Sequence, residues 1–201
     1  MMHTVRIHGR GGQGVVTAAE LLSIAAFTDG KHAQAFPSFG SERMGAPVMA
    51  FCRIDSEAIR TREAVTRPDT VIVQDPTLLH QVEIFAGLSP NGYVLINSTF
   101  PLDQLGVGEF LRSLPSDHVC VLPAADIAAK HMKRPIANSP LLGAFAAITG
   151  LIELASVQSA VRRKFPGFLG EANAAAAKEG FDLIMARLNQ EGSVLSHARA
   201  N

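Results

Sequence analysis

Ile7-His8-Gly9-Arg10-Gly11-Gly12-Gln13-Gly14-Val15-Val16 brings an apolar segment to an abrupt stop in four glycines and starts a helical pattern directly behind them. Residues 4–8 read as a short strand with Val5 and Ile7 on one face. Val15, Ala19, Leu22 and Ala26 then recur at helical spacing over four turns. Gly9, Gly11 and Gly14 keep the G-x-G-x-x-G spacing, where missing Cβ atoms permit a tight turn, close approach of the backbone to a ligand, and close packing of helix on strand. The amides that open the following helix point toward the same spot and favour an anion there. The motif is weak by spacing alone; its place between strand and helix gives it weight.

Two familiar ligand classes fit poorly. A dinucleotide site wants an acidic residue at the tip of the second strand, about 20 residues past the glycines, to hold the ribose hydroxyls. The second strand, residues 31–36, runs instead into Phe36-Pro37-Ser38-Phe39. A P-loop wants Gly-Lys-Ser/Thr where Gln13-Gly14-Val15 stands.

Outward from this turn, strand-like and helix-like segments alternate through the first two thirds of the chain, the pattern of an α/β fold with a mostly parallel sheet and helices on both faces. Further strands are expected at 47–55, 70–76, 93–97 and 118–122, with a crossover helix at 78–88 and a turn at Pro90-Asn91-Gly92. Residues 70–76 form a short β-branched run suited to a central strand buried on both faces. From Ser139 onward the period is helical, with Leu141, Phe145, Ile148 and Ile152 on one face and Phe181, Ile184, Met185 and Leu188 on another. With 201 residues and no linker, the reading is a single domain over 1–192 with a helical C-terminal third and a small polar tail at 193–201.

Eighteen basic and eighteen acidic residues balance, which argues against a nucleic-acid or membrane-surface binder. No apolar run reaches the ~20 residues needed to span a bilayer, and no signal segment opens the chain, so a cytoplasmic protein is expected. Cys52 and Cys120 sit far apart in apolar strands, as buried reduced thiols would. Two cysteines cannot ligate an iron-sulfur cluster, and the seven histidines show no metal-ligand spacing. No G-x-S-x-G elbow or close carboxylate pair offers nucleophilic or hydrolytic catalysis, so no catalytic or metal-binding residue is assigned.

A second stretch, Phe36-Pro37-Ser38-Phe39-Gly40-Ser41-Glu42-Arg43-Met44-Gly45-Ala46-Pro47, leaves the carboxyl end of the second strand beside the glycines, where open α/β sheets bind ligands. Arg43 is suited to a bidentate phosphate or carboxylate contact, with an ion pair to a neighbouring acid as the equal alternative; the Ser38 and Ser41 hydroxyls are suited to donate to the same group. Asn138, ahead of the long apolar helix, reads first as a helix N-cap. The basic groups Lys130, Lys133, Arg134 and Arg162, Arg163, Lys164 read as solvated faces, and His8 as a structural histidine at a strand end.

Gly9-Arg10-Gly11-Gly12-Gln13-Gly14, then 37–45, then Pro135-Ile136-Ala137-Asn138, then Phe168-Leu169-Gly170-Glu171-Ala172-Asn173 occur in the order found in the gamma subunit of the 2-oxoacid:ferredoxin oxidoreductases, and the chain resembles that family over nearly its whole length. It departs from the pattern at Met44, where Arg43-Met44-Gly45 replaces R-G-G. The resemblance implies one piece of a multi-subunit enzyme that oxidatively decarboxylates a 2-oxoacid, joins the acyl group to coenzyme A and passes electrons to ferredoxin or a related acceptor. Thiamine diphosphate with Mg and the iron-sulfur clusters would then sit on alpha, beta and ferredoxin-like delta partner subunits. This chain would contribute coenzyme A binding and a subunit interface. Joined to the residue pattern, it places Gly9, Arg10, Gly11, Gly12, Gln13 and Gly14 at a coenzyme A phosphate, with Ser38, Ser41, Arg43 and Asn138 around it. The rival readings are a nicotinamide- or flavin-binding reductase domain on the same turn, and a non-catalytic scaffold with an empty glycine loop.

Overall fold

In the computed structural model, β1 (His3–Arg10) forms the middle of a six-stranded sheet of order β2-β3-β1-β4-β5-β6. The structure describes residues 1–38, 44–61 and 63–199, with the backbone alone at 108 and 191–199. β2 (His32–Pro37) and β3 (Pro47–Asp55) lie on one side of β1; β4 (Thr70–Val73), β5 (Tyr93–Asn97) and β6 (Val119–Leu122) lie on the other. β3 pairs antiparallel with both β1 and β2, while β1, β4, β5 and β6 pair in parallel, so β3 alone runs against the rest. The link from β2 to β3 is too short for a parallel crossover, which needs a dozen residues or more.

Period-two alternation divides the strands between two cores. Val5 and Ile7, with Cys52, Ile54, Ile72 and Leu95, face a core shared with the helices, whereas Val71, Val73, Val94 and Ile96 face the other side. Both cysteines are buried, and burial pushes the Cys52 thiol far above its ordinary value. The first core is covered by α1 (Val15–Thr28), α3 (Ala124–Met132), α4 (Asn138–Thr149), α5 (Leu154–Lys164) and α6 (Phe168–Arg199). α4 is an internal helix, buried without a break from Asn138 to Ala146. α6 approaches it so closely that a Cβ on Gly143 would lie 1.9 Å from the Ala177 carbonyl oxygen. α6 continues to Arg199, through most of the stretch read as a polar tail.

The second face is covered more thinly, by 3-10 turns at Pro76–His80 and Leu102–Leu105 and by the single-turn helix α2 (Gly108–Leu111). The crossover helix expected at 78–88 does not form. Arg6, buried on this face of β1, donates Nη2 to the carbonyls of Ile84 and Ala86 at 2.7 Å each, which holds them out of a helical ladder. Gly87 adds a left-handed residue, φ 73°, pressed against the Thr66 carbonyl. The basic groups of α3 and α5 lie at the surface, where Lys130 pairs with Glu179, Arg162 with Glu171 and Lys164 with Glu20. Among the described residues, no helix is long and apolar enough to cross a membrane.

Candidate functional site

The carboxyl ends of β1, β4 and β5 share one edge of the sheet, and the turn after β1 lies at the point where the chain order reverses, β2 being reached on one side and β4 on the other. Crevices at such reversals are where open α/β sheets take ligands. Gly12 (φ 93°) and Gly14 (φ 74°) supply the left-handed backbone that lets the strand turn directly into α1. Gly9 stays within β1 and serves contact: a Cβ there would meet Val15 Cγ2 at 2.7 Å and Gln74 Oε1 at 3.0 Å.

Not all four loop amides point outward. The Gly11 amide donates to the Ala46 carbonyl, 2.9 Å, and the Gln13 amide to the Arg10 carbonyl, 3.0 Å. The amides of Gly12 and Gly14 have no partner among the described residues. α1 starts on Gly14 with no side-chain cap and no acidic residue in its first turn. Its opening amides, which have no acceptor within the helix, therefore add to those two. A hollow of about 290 Å³ opens here, lined by Gly11, Gly12, Gly14, Val16, Thr17 and Val48. Unsatisfied donors, the positive end of a helix dipole and the three glycines in the wall suit an anion.

The polar side chains of the motif brace this backbone. Gln13 Oε1 accepts from the Arg10 amide at 2.7 Å, and its Nε2 donates to Asp75 at 2.8 Å. Arg10 spreads its guanidinium over Thr77, Gln81 and the Gly45 carbonyl, and pairs with Asp75 at 3.2 Å. Burial acts to raise the Asp75 carboxyl, but hydrogen bonds from Thr77 and Gln13 and the charge of Arg10 outweigh it and hold the group below the usual carboxylate range. Asn138 does not cap its own helix. It donates Nδ2 to the Gly14 carbonyl at 3.0 Å and accepts from Gln74 Nε2 at 2.7 Å, tying the loop to β4 and α4.

The second stretch returns alongside the loop: Gly11 bridges to Met44, the Gly45 amide donates to the Gly11 carbonyl, and Arg10 stands opposite Pro47. Ser38 follows β2 directly, its amide on the Met49 carbonyl. Ser41 and Arg43 lie outside the described residues. β2 ends at Pro37 without a carboxylate, as the sequence indicates.

The family model for pyruvate ferredoxin/flavodoxin oxidoreductase matches residues 4–183. The chain belongs to this family. It is 48% identical over 181 residues to the pyruvate/ketoisovalerate oxidoreductases common subunit gamma of Thermococcus kodakarensis, covering 90% of this chain and 96% of that one. Pyruvate synthase subunit PorC of Methanothermobacter marburgensis is 46% identical over the same length, with 90% and 97% covered. The crystal structure of pyruvate oxidoreductase subunit PORC from Thermotoga maritima superposes with a TM-score of 0.75 at 37% identity, over 90% of this chain and 96% of that one. Within the family the chain is thus a gamma-type subunit of a 2-oxoacid:ferredoxin oxidoreductase, matched almost end to end.

In this gamma-type subunit the loop, Asn138 and the returning second stretch come together at one edge. The far-off 168–173 segment serves packing instead: Asn173, buried in α6, accepts from Ser139 Oγ at 2.6 Å and donates to the Leu169 carbonyl. The sequence reading missed the opposite wall, formed by Gln74, Asp75 and Asn97, where Asn97 bridges the Gln74 carbonyl and the Ala125 amide. Its signal was present: Gln74-Asp75-Pro76 and Asn97-Ser98 are the polar residues that close two buried strands at their carboxyl ends.

Proposed function

We propose that this gamma-type subunit holds the phosphate-bearing part of coenzyme A at the mouth of α1, and so presents the carrier thiol to an acyl group generated on a partner subunit of a 2-oxoacid:ferredoxin oxidoreductase. The observation that carries the reading is the uncapped α1 N-terminus, where the bare amides of Gly12 and Gly14 and a hollow of about 290 Å³ adjoin. Family membership supplies the reaction class. Coenzyme A brings the thiol; what this chain adds is binding and orientation, which in reactions between two bound partners is a large part of the barrier. Gly12 and Gly14 grip, Arg10, Gln13 and Asn138 keep the grip in shape, and Ser38, Ser41 and Arg43 close the site from the second stretch. Its partners are alpha and beta subunits bearing thiamine diphosphate and a delta subunit bearing iron-sulfur clusters, in the cytoplasm. Residues 1–192 act as one domain in that assembly.

Thr17→Glu tests this without disturbing the fold. Thr17 lines the hollow in the first turn of α1, where a carboxylate favours the helix by about 0.3–1 kcal/mol while repelling an anion. In the assembled complex the variant is expected to raise the KM for coenzyme A by about tenfold, a loss of ~1.4 kcal/mol, with an unchanged or higher Tm and unchanged oxidation of the 2-oxoacid in the absence of coenzyme A. An unchanged KM contradicts the proposal.

A further inference from the structure

The thin cover over the second core leaves some of its own apolar side chains in water. With the Ile84 and Ala86 carbonyls held by Arg6, segment 78–88 turns Leu78, Leu79 and Ile84 inward but leaves Val82 37% exposed and Phe85 only partly buried. Phe110, on α2, is 45% exposed and stacks on Phe85, with ring centroids 5.3 Å apart and planes 19° from parallel. Two hollows adjoin this aromatic pair, one of about 760 Å³ that takes in Val82 and Glu83, the other of about 480 Å³ that takes in Val107 and Glu109. Val82, Phe85, Val107 and Phe110 thus make one apolar strip on the surface. Contiguous apolar surface centred on aromatic rings marks a place where another molecule packs.

Charge narrows what that molecule is. The whole chain balances eighteen bases against eighteen acids, yet among the described residues the lining of the two hollows holds Glu83 and Glu109 and no lysine or arginine. Both glutamates are exposed, and neither side chain has an ion-pair or hydrogen-bond partner among the described residues. Elsewhere on the surface Glu20, Glu171 and Glu179 each pair with a lysine or arginine. A cation laid over the Phe110 ring is attracted both by the ring face and by a carboxylate beside it, whereas an anionic surface is repelled. Both hollows stand open to solvent, so they suit a polypeptide laid across them better than a small molecule, which binds where it is enclosed. The first hollow also adjoins the glycine loop, because Gln81 in its lining accepts from Arg10 Nη2 at 2.9 Å.

We propose that this strip is a docking face for a segment of a partner subunit of the same complex, one that carries a lysine or arginine beside an apolar anchor. The anchor packs on the Phe85 and Phe110 rings, and the cation pairs with Glu83 or Glu109. The occupant then rests on the segment that braces the glycine loop through Gln81 and Arg10, beside the edge where the site lies. Membership of a multi-subunit family supplies the partner, and the docking face stands whether or not coenzyme A binds at α1.

Carbodiimide labelling of carboxylates, read by mass spectrometry, compares the full-length chain alone with the intact complex. Glu83 and Glu109 are expected to label in the free chain and to lose most of that labelling in the complex; equal labelling in both overturns the proposal. Binding of the full-length chain to the complex expressed without it then reads the chemistry. Phe110→Ser, and Glu83→Lys combined with Glu109→Lys, are each expected to weaken association by about tenfold or more. The charge-reversed chain should also respond less steeply to salt than the unmodified one. Its substitutions lie at exposed positions, so it decides the matter should Phe110→Ser fail to fold. Charge reversal that leaves association within about twofold of the unmodified chain overturns the cationic occupant. A free chain that is already a dimer, with both glutamates protected until Phe110→Ser separates it, gives the face to a second copy and overturns the proposal as well.

Discussion

Replacing Gly14 by alanine strikes the loop at two levels, and the structure separates them. Gly14 sits at φ 74°, a left-handed conformation that costs an L-residue roughly 1–2 kcal/mol. The added Cβ would also lie 2.7 Å from Asn138 Nδ2. That amide is pinned by its bonds to the Gly14 carbonyl and to Gln74, so it cannot withdraw without breaking both, at about 1 kcal/mol each. The sum is about 3–4 kcal/mol, which in a chain of this size lowers Tm by roughly 10 °C. Urea unfolding of Gly14→Ala, Asn138→Ala and the double variant measures the parts. With Asn138 already truncated, only the backbone contribution of roughly 1–2 kcal/mol should remain, so the cycle should show a coupling of about 2 kcal/mol. Additive effects within about 0.5 kcal/mol would refute the claim that Asn138 is locked against the loop.

Three further outcomes follow, two of them in the core. Burial, reinforced by the charge of Arg6, takes the His8 pKa down to about 3, so His8 is neutral in the fold while an unfolded chain protonates it below its ordinary pKa of 6.5. The unfolded state then binds the extra proton, and stability must fall as pH drops from 6.5 toward 3. Between pH 6.5 and 5 this one group should withdraw about 1.5 kcal/mol, read as the difference in urea midpoint slope between the unmodified chain and His8→Met; identical pH profiles would exclude it. Gly143→Ala drives a Cβ to 1.9 Å from the Ala177 carbonyl oxygen, part of a helix backbone that cannot give way locally. It should cost about 3 kcal/mol, measured as a fall in Tm. Gly30→Ala, where nothing lies within 4 Å and only φ 75° opposes the change, should cost about 1 kcal/mol.

Where one physical rule governs a segment, the sequence was readable. The β-branched run at Thr70–Val73 and the segment Tyr93–Asn97 are buried strands because nothing but a sheet interior suits them, and Pro47–Asp55 was bounded correctly by its proline and aspartate. The glycine turn was legible for the same reason, since few other local structures need such residues. Segment 78–88 misled because its apolar spacing is compatible with a helix, whereas its carbonyls are claimed by Arg6, more than seventy residues earlier in the chain. No local pattern reports that capture. The site was half legible. Gln13, Arg10 and Asn138 do lie at the glycine loop, but their side chains brace the backbone, and which amides remain bare depends on the Ala46 carbonyl, which no local pattern places there.

Amide-resolved NMR of the full-length chain during titration with coenzyme A tests the central claim most directly, since the claim concerns individual backbone N–H groups. The account predicts that the amides of Gly12, Gly14 and the first turn of α1 shift downfield together and saturate, while those of Gly11 and Gln13, already bonded to the Ala46 and Arg10 carbonyls, move far less. Saturable binding that leaves the Gly12 and Gly14 amides unmoved would contradict it.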